Sequence, residues 1–198
     1  MDLVIAGHAF TTESPDVWNF DDAQLTGVAG PRTDHFVDPA TGETTGNAPC
    51  LLTVPPTGDW QLSARISVEF AETYDAGALM LWAGPDRWAK LAYERSPQGA
   101  GMVVTVVTRG RSDDANGYTV DGDAVSLRIS HVNGAYACHA SLDGSTWDFV
   151  RHFSMDGLDP AQARVGFEVQ SPMGEGCRAR FTHMALAATT LADLRDGS

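Results

Sequence analysis

Residues 60–70 read Trp-Gln-Leu-Ser-Ala-Arg-Ile-Ser-Val-Glu-Phe, in which every even-numbered position is apolar and every odd-numbered position is polar. Successive side chains of a β-strand point to opposite faces, so this alternation is typical of a strand with one face in the core and the other in water. An antiparallel sheet has this two-sided character. The segment therefore predicts a long, half-buried strand in such a sheet.

The same alternation continues later in the chain and predicts a three-stranded meander. It returns over residues 125–130 and, beyond Asn133-Gly134, over residues 136–142. Asn-Gly between two alternating runs is a strong hairpin signal, because both residues tolerate positive φ. Asp143-Gly144 then leads into a third strand that ends near Phe153.

Further strands are predicted where apolar segments are separated by turns rich in Gly, Pro and Asp. They cover residues 3–5, 35–37, 49–54, 76–83, 88–95, 102–109, 164–170 and 178–187. Helix is expected only as one turn at residues 159–163 and as a short terminal helix at residues 190–195. Many strands with no linker and no repeat predict one domain over residues 1–198: an all-β, two-sheet antiparallel β-sandwich.

Two predicted strands are apolar on both faces. They are residues 78–82, Ala-Leu-Met-Leu-Trp, and residues 102–108, Met-Val-Val-Thr-Val-Val-Thr. A strand of this kind lies in the middle of a sheet with its second face covered. In a jelly roll, that second face can also form the floor of a groove.

Residues 88–94, Trp-Ala-Lys-Leu-Ala-Tyr-Glu, concentrate candidate binding groups. Their odd-numbered members suit the core, so the even-numbered members share the opposite face. If neighbouring strands join the same sheet, that face carries Trp82, Trp88, Lys90, Glu94, Glu168 and Gln170. Aromatic rings can stack on a sugar ring while charged and amide groups bond its hydroxyls. The pattern predicts a non-catalytic carbohydrate or small-polyol site. The alternative is an exposed Lys90–Glu94 ion pair beside tryptophans that cap a sheet edge.

Glycoside hydrolysis is a second hypothesis, in which Glu94 and Glu168 act as acid and base. A glycosidase needs two carboxylates roughly 5–5.5 Å or 6.5–9.5 Å apart. Gln170 stands where a further acid would help, and a neutral amide cannot act as a base. The sequence therefore nominates this pair without assigning a catalytic residue.

Charge and motif content exclude several classes of function. Acidic residues outnumber basic ones by 26 to 13, and the basic residues are scattered, which disfavours nucleic acid and anionic membranes as partners. The chain has no glycine-rich phosphate loop, no Gly-x-Ser-x-Gly and no Cys-x-x-Cys, so no cofactor is predicted. No apolar run approaches the roughly 20 residues of a membrane span.

Metal-ligand patterns are weak. The acidic group Asp113, Asp114, Asn116, Asp121 and Asp123 matches no calcium loop and is expected to be a solvated turn. The six histidines lack metal-ligand spacing, with His139 and His152 expected as a surface pair, so no metal is predicted.

The cysteines and the first residues predict the compartment. Three widely spaced cysteines, Cys50, Cys138 and Cys177, are expected to be buried free thiols. The first residues have no basic start and only a short apolar run, unlike a secretion signal. Both features indicate a cytoplasmic protein.

The order of several motifs carries a family resemblance. The motifs are Tyr-Asp-Ala-Gly-Ala-Leu-Met at 74–80, Arg-Trp-Ala-Lys-Leu-Ala-Tyr-Glu at 87–94, Val-Thr at 104–105, Ser-Asp at 112–113, Ser-Leu-Asp-Gly-Ser-Thr-Trp at 141–147, Val-Gly-Phe at 165–167 and Ser-Pro at 171–172. In this order the chain resembles the family named after the regulation-of-enolase protein. The resemblance implies a concanavalin A-like jelly roll, in a superfamily rich in lectins and glucanases, and a family largely of unknown function.

The resemblance also bears on the site and on partners. Trp88, Lys90 and Glu94 match the family's motif strand, whereas Trp82 stands where the family tends to have Arg and Asp114 where it tends to have Trp. The family name suggests a third hypothesis, a protein-interaction module that regulates a metabolic enzyme. No oligomeric state is predicted.

Overall fold

A computed structural model describes residues 2–157 and 162–198, and it has the predicted all-β architecture with two large antiparallel sheets. Beside one turn of 3-10 helix at Pro15–Val17, the described residues form seventeen strands. In chain order these are β1 (Asp2–Ile5), β2 (His8–Thr11), β3 (Trp18–Asp21), β4 (Gln24–Val28), β5 (His35–Val37), β6 (Thr44–Gly46), β7 (Cys50–Thr53), β8 (Trp60–Glu69), β9 (Ala76–Trp82), β10 (Arg87–Arg95), β11 (Gly101–Arg109), β12 (Ser112–Thr119), β13 (Ala124–Val132), β14 (Ala135–Ser141), β15 (Asp148–Phe153), β16 (Arg164–Gln170) and β17 (Arg178–Ala187).

The strands are arranged in two large sheets and one small hairpin. Sheet A has eight strands in the order β1-β2-β7-β16-β9-β10-β11-β12. Sheet B has seven strands in the order β15-β14-β13-β8-β17-β4-β3. The hairpin is formed by β5 and β6. Some neighbouring strands are joined by hairpins, whereas others, such as β7 and β16 or β8 and β17, are distant in sequence, which is usual in a jelly-roll sandwich.

The hydrophobic core lies between the two sheets. The apolar face of β8 enters it, and Leu62, Ala64 and Ile66 are buried as the alternation predicts. Leu79, Leu91 and Phe167 of sheet A pack against this face. A second, smaller apolar cluster lies on the other side of sheet A, around Met80 and Trp88. Sheet A is therefore covered on both faces in its middle strands, as predicted for the two doubly apolar runs.

The predicted meander is confirmed. β13, β14 and β15 are neighbours in sheet B, and the hairpin between the first two turns at Asn133 and Gly134, with φ of 51° and 83°. His139, however, is fully buried on β14, so the expected surface pair with His152 is wrong. Its Nε2 donates a 2.9 Å hydrogen bond to the carbonyl of Leu194, near the chain's last residues.

Other sequence expectations are corrected by the structure. β2, β3, β4, β6 and β12 were not predicted, and four of them have five residues or fewer, too short to show a period. Asp113, Asp114 and Asn116 lie on the edge strand β12, not in a solvated turn. Residues 190–195 form bends and turns, not a helix, and the turn expected at 159–163 lies largely outside the described residues.

Cys138 and Cys177 are buried free thiols, as predicted, and Cys50 is a half-buried free thiol. Within residues 2–157 and 162–198, no helix has the length and apolar character needed to cross a membrane.

Candidate functional site

The face of sheet A that points away from sheet B is covered by residues 33–50, which include the β5–β6 hairpin and are called here the covering segment. Its start is held to sheet A by an isolated bridge between Thr33 and Ser171. The backbone N–H of Val37 donates a 2.9 Å hydrogen bond to the hydroxyl of Ser112 on β12. Phe36 packs on the apolar cluster around Trp88. The predicted face is thus a partly enclosed site rather than an open groove.

The register of sheet A brings the predicted residues onto this one face. β16, β9 and β10 are neighbours, with Glu168 opposite Ala78 and Ala78 opposite Ala92. The next row along the strands aligns Gln170, Ala76 and Glu94. The polar residues therefore stand on β16 and β10, and β9 between them contributes only small alanines to these two rows. The common face predicted for them is confirmed.

Lys90 lies at the centre of a buried polar network. It is the only lysine of the 198-residue chain and is 3% exposed. Its Nζ donates to Asp34 Oδ1 at 2.8 Å, to the carbonyl of His35 at 2.8 Å and to Gln170 Oε1 at 2.6 Å. A lysine ammonium has three N–H donors. All three are therefore used, so Lys90 fixes its neighbours and has no donor left for a ligand hydroxyl.

Glu168 is fully buried beside this network. Its Oε2 lies 2.9 Å from His35 Nδ1, and its Oε1 lies 3.7 Å from Lys90 Nζ. Burial raises the pKa of Glu168, but Lys90 and His35 outweigh it and hold that pKa below its ordinary value. Burial likewise lowers the pKa of Lys90, yet Asp34 and Glu168 raise it above the ordinary value. The two groups thus form a charged pair.

The two tryptophans are cross-strand partners at one end of this face, but they are not equivalent. Trp88 is 1% exposed, and His35 lies edge-on to it at a ring distance of 5.8 Å. Trp82 is half-buried and lies 5.3 Å from the same imidazole. The covering segment therefore removes Trp88 as a stacking surface and leaves Trp82 at the edge of an opening.

That opening is the first of two cavities beside the covering segment, called here the tryptophan cavity. It has a volume of about 540 Å³. It is lined by residues 11–14, 46–50, Leu52, His35, Trp82 and Arg164.

The second, called here the lysine cavity, contains three of the predicted binding residues. Its volume is about 370 Å³, and Lys90, Glu94 and Gln170 line it. Its other lining residues are Asp34, Phe36, Tyr74, Pro97, Met102, Val104, Val106, Asp114 and Asn116. Glu168 does not belong to this lining, although it stands one row from Glu94 on the same face of sheet A.

Glu94 is the most unusual group of the lysine cavity. It is half-buried, and among the described residues it has no hydrogen-bond partner. Burial raises its pKa to about 7; Lys90 opposes this shift, while Asp34, Asp114 and Glu168 add to it. A carboxyl group with this pKa can both donate and accept hydrogen bonds near neutral pH.

Several lining residues were not nominated from the sequence. Asp34, Phe36, Cys50 and Tyr74 lie far from the motif strand, and no periodic pattern places the covering segment on sheet A. One signal was present: a lone lysine on a strand that is apolar on both sides needs a buried counter-charge. That argument points to Glu168 but does not identify Asp34.

The fold and the site define an antiparallel β-sandwich in which a polar cluster is enclosed on the outer face of one sheet. Residues 12–189 match the family described as protein of unknown function, DUF1349, and the chain belongs to this family. No match is found among curated protein sequences.

Solved structures share the fold. A functionally unknown protein from Saccharomyces cerevisiae is 22% identical, with a TM-score of 0.78, and the match covers 91% of this chain and 96% of that one. The GH43 BlXynB protein from Bacillus licheniformis is 10% identical, with a TM-score of 0.68 over 91% of this chain and 36% of that one. An alginate lyase from Klebsiella pneumoniae is 14% identical, with a TM-score of 0.56 over 86% and 83%. This chain therefore spans about a third of the GH43 protein.

Proposed function

We propose that this protein binds a neutral carbohydrate or a similar polyol in the lysine cavity. The observation that carries the proposal is the position of Glu94, which faces this cavity, is half-buried and has no hydrogen-bond partner among the described residues. A polar group left without a partner in a partly buried position gains from a hydroxyl that can bond it. A polyol supplies such hydroxyls.

The walls of the cavity suit the two sides of a sugar ring. Met102, Val104 and Val106 give an apolar floor, and Phe36 and Tyr74 supply aromatic rings. These two rings take the stacking role that the sequence assigned to Trp82 and Trp88. The C–H face of a sugar can pack against such a surface.

The polar groups around the floor select the charge of the ligand. Asp34, Glu94 and Asp114 are carboxyl groups, and the ammonium of Lys90 is already bonded to three acceptors. Asp34 is paired with Lys90, so an anionic ligand would meet the carboxyl groups of Glu94 and Asp114 with no donor of Lys90 left to bond it. A neutral ligand can donate its hydroxyl protons to these carboxylates, and Asn116 can both donate and accept.

The proposal is tested by calorimetric titration with a panel of neutral mono- and oligosaccharides and polyols. We expect at least one ligand to bind. Asn116→Trp changes a residue at the exposed mouth of the cavity and should lower the affinity for that ligand by more than about tenfold, or about 1.4 kcal/mol. Asp113→Ala is the matched control, since Asp113 is next to Asp114 but pairs with Arg151 outside the cavity. Absence of heat with every ligand, or equal affinity in Asn116→Trp, contradicts the proposal.

The same binding experiments also test the two other hypotheses, glycoside hydrolysis and regulation of a metabolic enzyme. The pKa of Glu94 near 7 suits a general acid, which is the observation that favours hydrolysis, so chromogenic glycosides belong in the panel. Product release that Glu94→Gln abolishes would favour an enzyme. Regulation of a metabolic enzyme through protein contact stays a prediction, and capture of one such enzyme together with no sugar binding would favour it.

A further inference from the structure

Three potential metal ligands meet at the base of the tryptophan cavity. His35, Cys50 and Glu168 each offer one ligand atom, and these atoms all lie within 4.8 Å of one another. The residues come from the covering segment, from the start of β7 and from β16. Because Cys50 and Glu168 are cross-strand partners in sheet A, their side chains share a face by register.

We propose that His35, Cys50 and Glu168 bind a divalent transition-metal ion of the borderline class, of which Zn²⁺ is the commonest. Imidazole nitrogen, thiolate sulfur and carboxylate oxygen are the three ligand types that zinc takes in proteins. Three protein ligands with the fourth position open are typical of a site that also holds water. No sequence motif indicates this site, because His35 and Cys50 are 15 residues apart along the chain and Cys50 and Glu168 are 118 residues apart.

The distances are close to those of a tetrahedral site. Zinc bond lengths of about 2.0–2.3 Å at a tetrahedral angle separate nitrogen from oxygen by about 3.4 Å and sulfur from oxygen by about 3.6 Å. Here His35 Nδ1 lies 2.9 Å and Cys50 Sγ lies 3.8 Å from Glu168 Oε2. Both distances lie within about half an ångström of the tetrahedral values, and the ligand atoms of His35 and Cys50 lie within 4.8 Å of each other.

The charge of the cluster also favours a cation. Asp34 and Glu168 face the single ammonium of Lys90, which leaves a negative charge in excess in a buried place. Glu168 divides its oxygens: Oε1 faces Lys90 without a hydrogen bond, and Oε2 faces His35 and Cys50. A divalent ion bound by one carboxylate and one thiolate is neutral as a unit, and Asp34 then balances Lys90.

An arriving ion can reach the site from the tryptophan cavity. His35 and Cys50 both line the tryptophan cavity, whereas Glu168 is fully buried behind them. On binding, the proton that His35 Nδ1 donates to Glu168 moves to Nε2, which frees the Nδ1 lone pair for the metal. The sulfur–metal bond forms and the thiol proton of Cys50 leaves to the buffer. The competing arrangement is the hydrogen bond between His35 and Glu168, which needs no metal.

Co²⁺ substitution tests the proposal, because a thiolate ligand gives cobalt an intense near-ultraviolet charge-transfer band. We expect one equivalent of Co²⁺ to produce this band in the metal-free protein and Zn²⁺ to displace it. Cys50→Ser should abolish the band and weaken Zn²⁺ binding by more than about tenfold, as ligand loss does. Cys177→Ser, which changes a buried thiol outside the cluster, is the matched control and should keep the band.

A second measurement uses the unaltered protein, so it does not depend on how the variant folds. Cys50 is the half-buried thiol and the other two are buried, so alkylation of the folded chain should mark Cys50 first. Zn²⁺ should slow that alkylation at least about tenfold, with the modified peptide identified by mass spectrometry. No cobalt band, a band that survives Cys50→Ser, or alkylation that Zn²⁺ does not slow overturns the proposal in favour of the direct hydrogen bond between His35 and Glu168.

Discussion

Nζ of Lys90 lies 2.6 Å from Oε1 of Gln170, although β9 runs between the two strands that carry these residues. Met80 of β9 stands directly opposite Lys90, but the next two β9 positions on this face are Ala78 and Ala76, over which the side chain can pass to reach Gln170. Two small residues thus create the room in which one ammonium joins sheet A to the covering segment. The shape of the lysine cavity depends on this crossing.

The first prediction concerns Lys90 itself. Lys90→Met keeps an unbranched side chain, one atom shorter, but leaves Asp34, the carbonyl of His35 and Gln170 without their shared donor and Glu168 without its counter-charge. Breaking a buried charged network in this way costs about 3–5 kcal/mol. We expect a loss of that size in the free energy of unfolding, measured by urea denaturation.

The matched control for this change is Arg180→Met. Arg180 pairs with Glu69 on the exposed surface of sheet B, with side-chain exposures of 37% and 55%. An exposed pair contributes about 0–1 kcal/mol. Similar losses in Lys90→Met and Arg180→Met would show that Lys90 does not hold the covering segment.

The second prediction is a pH dependence of stability that arises from Glu94. Its pKa is about 7 in the folded chain and near 4.5 in an unfolded one, so the folded state binds more protons between these values. Stability therefore falls as the pH rises from about 4.5 to about 7 and then levels off. Asp34, Asp114, Glu168 and Lys90 are the charged groups acting on Glu94.

Glu94→Gln should remove this dependence. Each pKa unit corresponds to about 1.4 kcal/mol, and partial exposure of the side chain reduces the effect, so we expect Glu94→Gln to be about 1–2 kcal/mol more stable than the parent at pH 8. At pH 4 the two proteins should be alike. Thermal unfolding across this range measures the difference, and parallel curves would contradict the assignment.

The third prediction concerns the pairing of β7 with β16, which places Cys50 beside Glu168. A Cβ added at Gly166 would overlap the backbone carbonyl oxygen of Leu51 on β7. Gly166→Ala must therefore separate the two strands, and we expect a loss of about 2–4 kcal/mol together with weaker Co²⁺ binding. Gly30→Ala is the control, since no atom lies within 4 Å of the added Cβ. Unchanged stability in Gly166→Ala would mean that the strands are not paired in this register.

Much of the fold follows from local pattern. The long strands β8, β10, β16 and β17 have enough residues to show a period of two, and β16 and β17 have the predicted bounds. β12 could not be found in this way, because an edge strand with its side chains in solvent has no apolar face. The single-domain reading of residues 1–198 stays a prediction.

The same distinction between local pattern and long-range contact applies to the site. Side chains on one strand, such as Lys90 and Glu94, share a face by geometry alone, so the sequence could group them. What covers that face depends on where a loop folds, and the alternation of apolar and polar residues carries no information about that. The sequence therefore predicted an open groove on this face, which His35 and Phe36 of the covering segment partly enclose.

The most direct test of sugar binding in the lysine cavity is the ¹³C-methyl methionine NMR spectrum during titration with the neutral ligands. The chain has six methionines; Met102 lines the lysine cavity, and Met173 is 53% exposed elsewhere. We expect the Met102 methyl signal, assigned by Met102→Leu, to shift and saturate while that of Met173 stays in place. A signal of Met102 that does not move with any ligand, or ligand-induced shifts confined to other methionines, would contradict binding at this site.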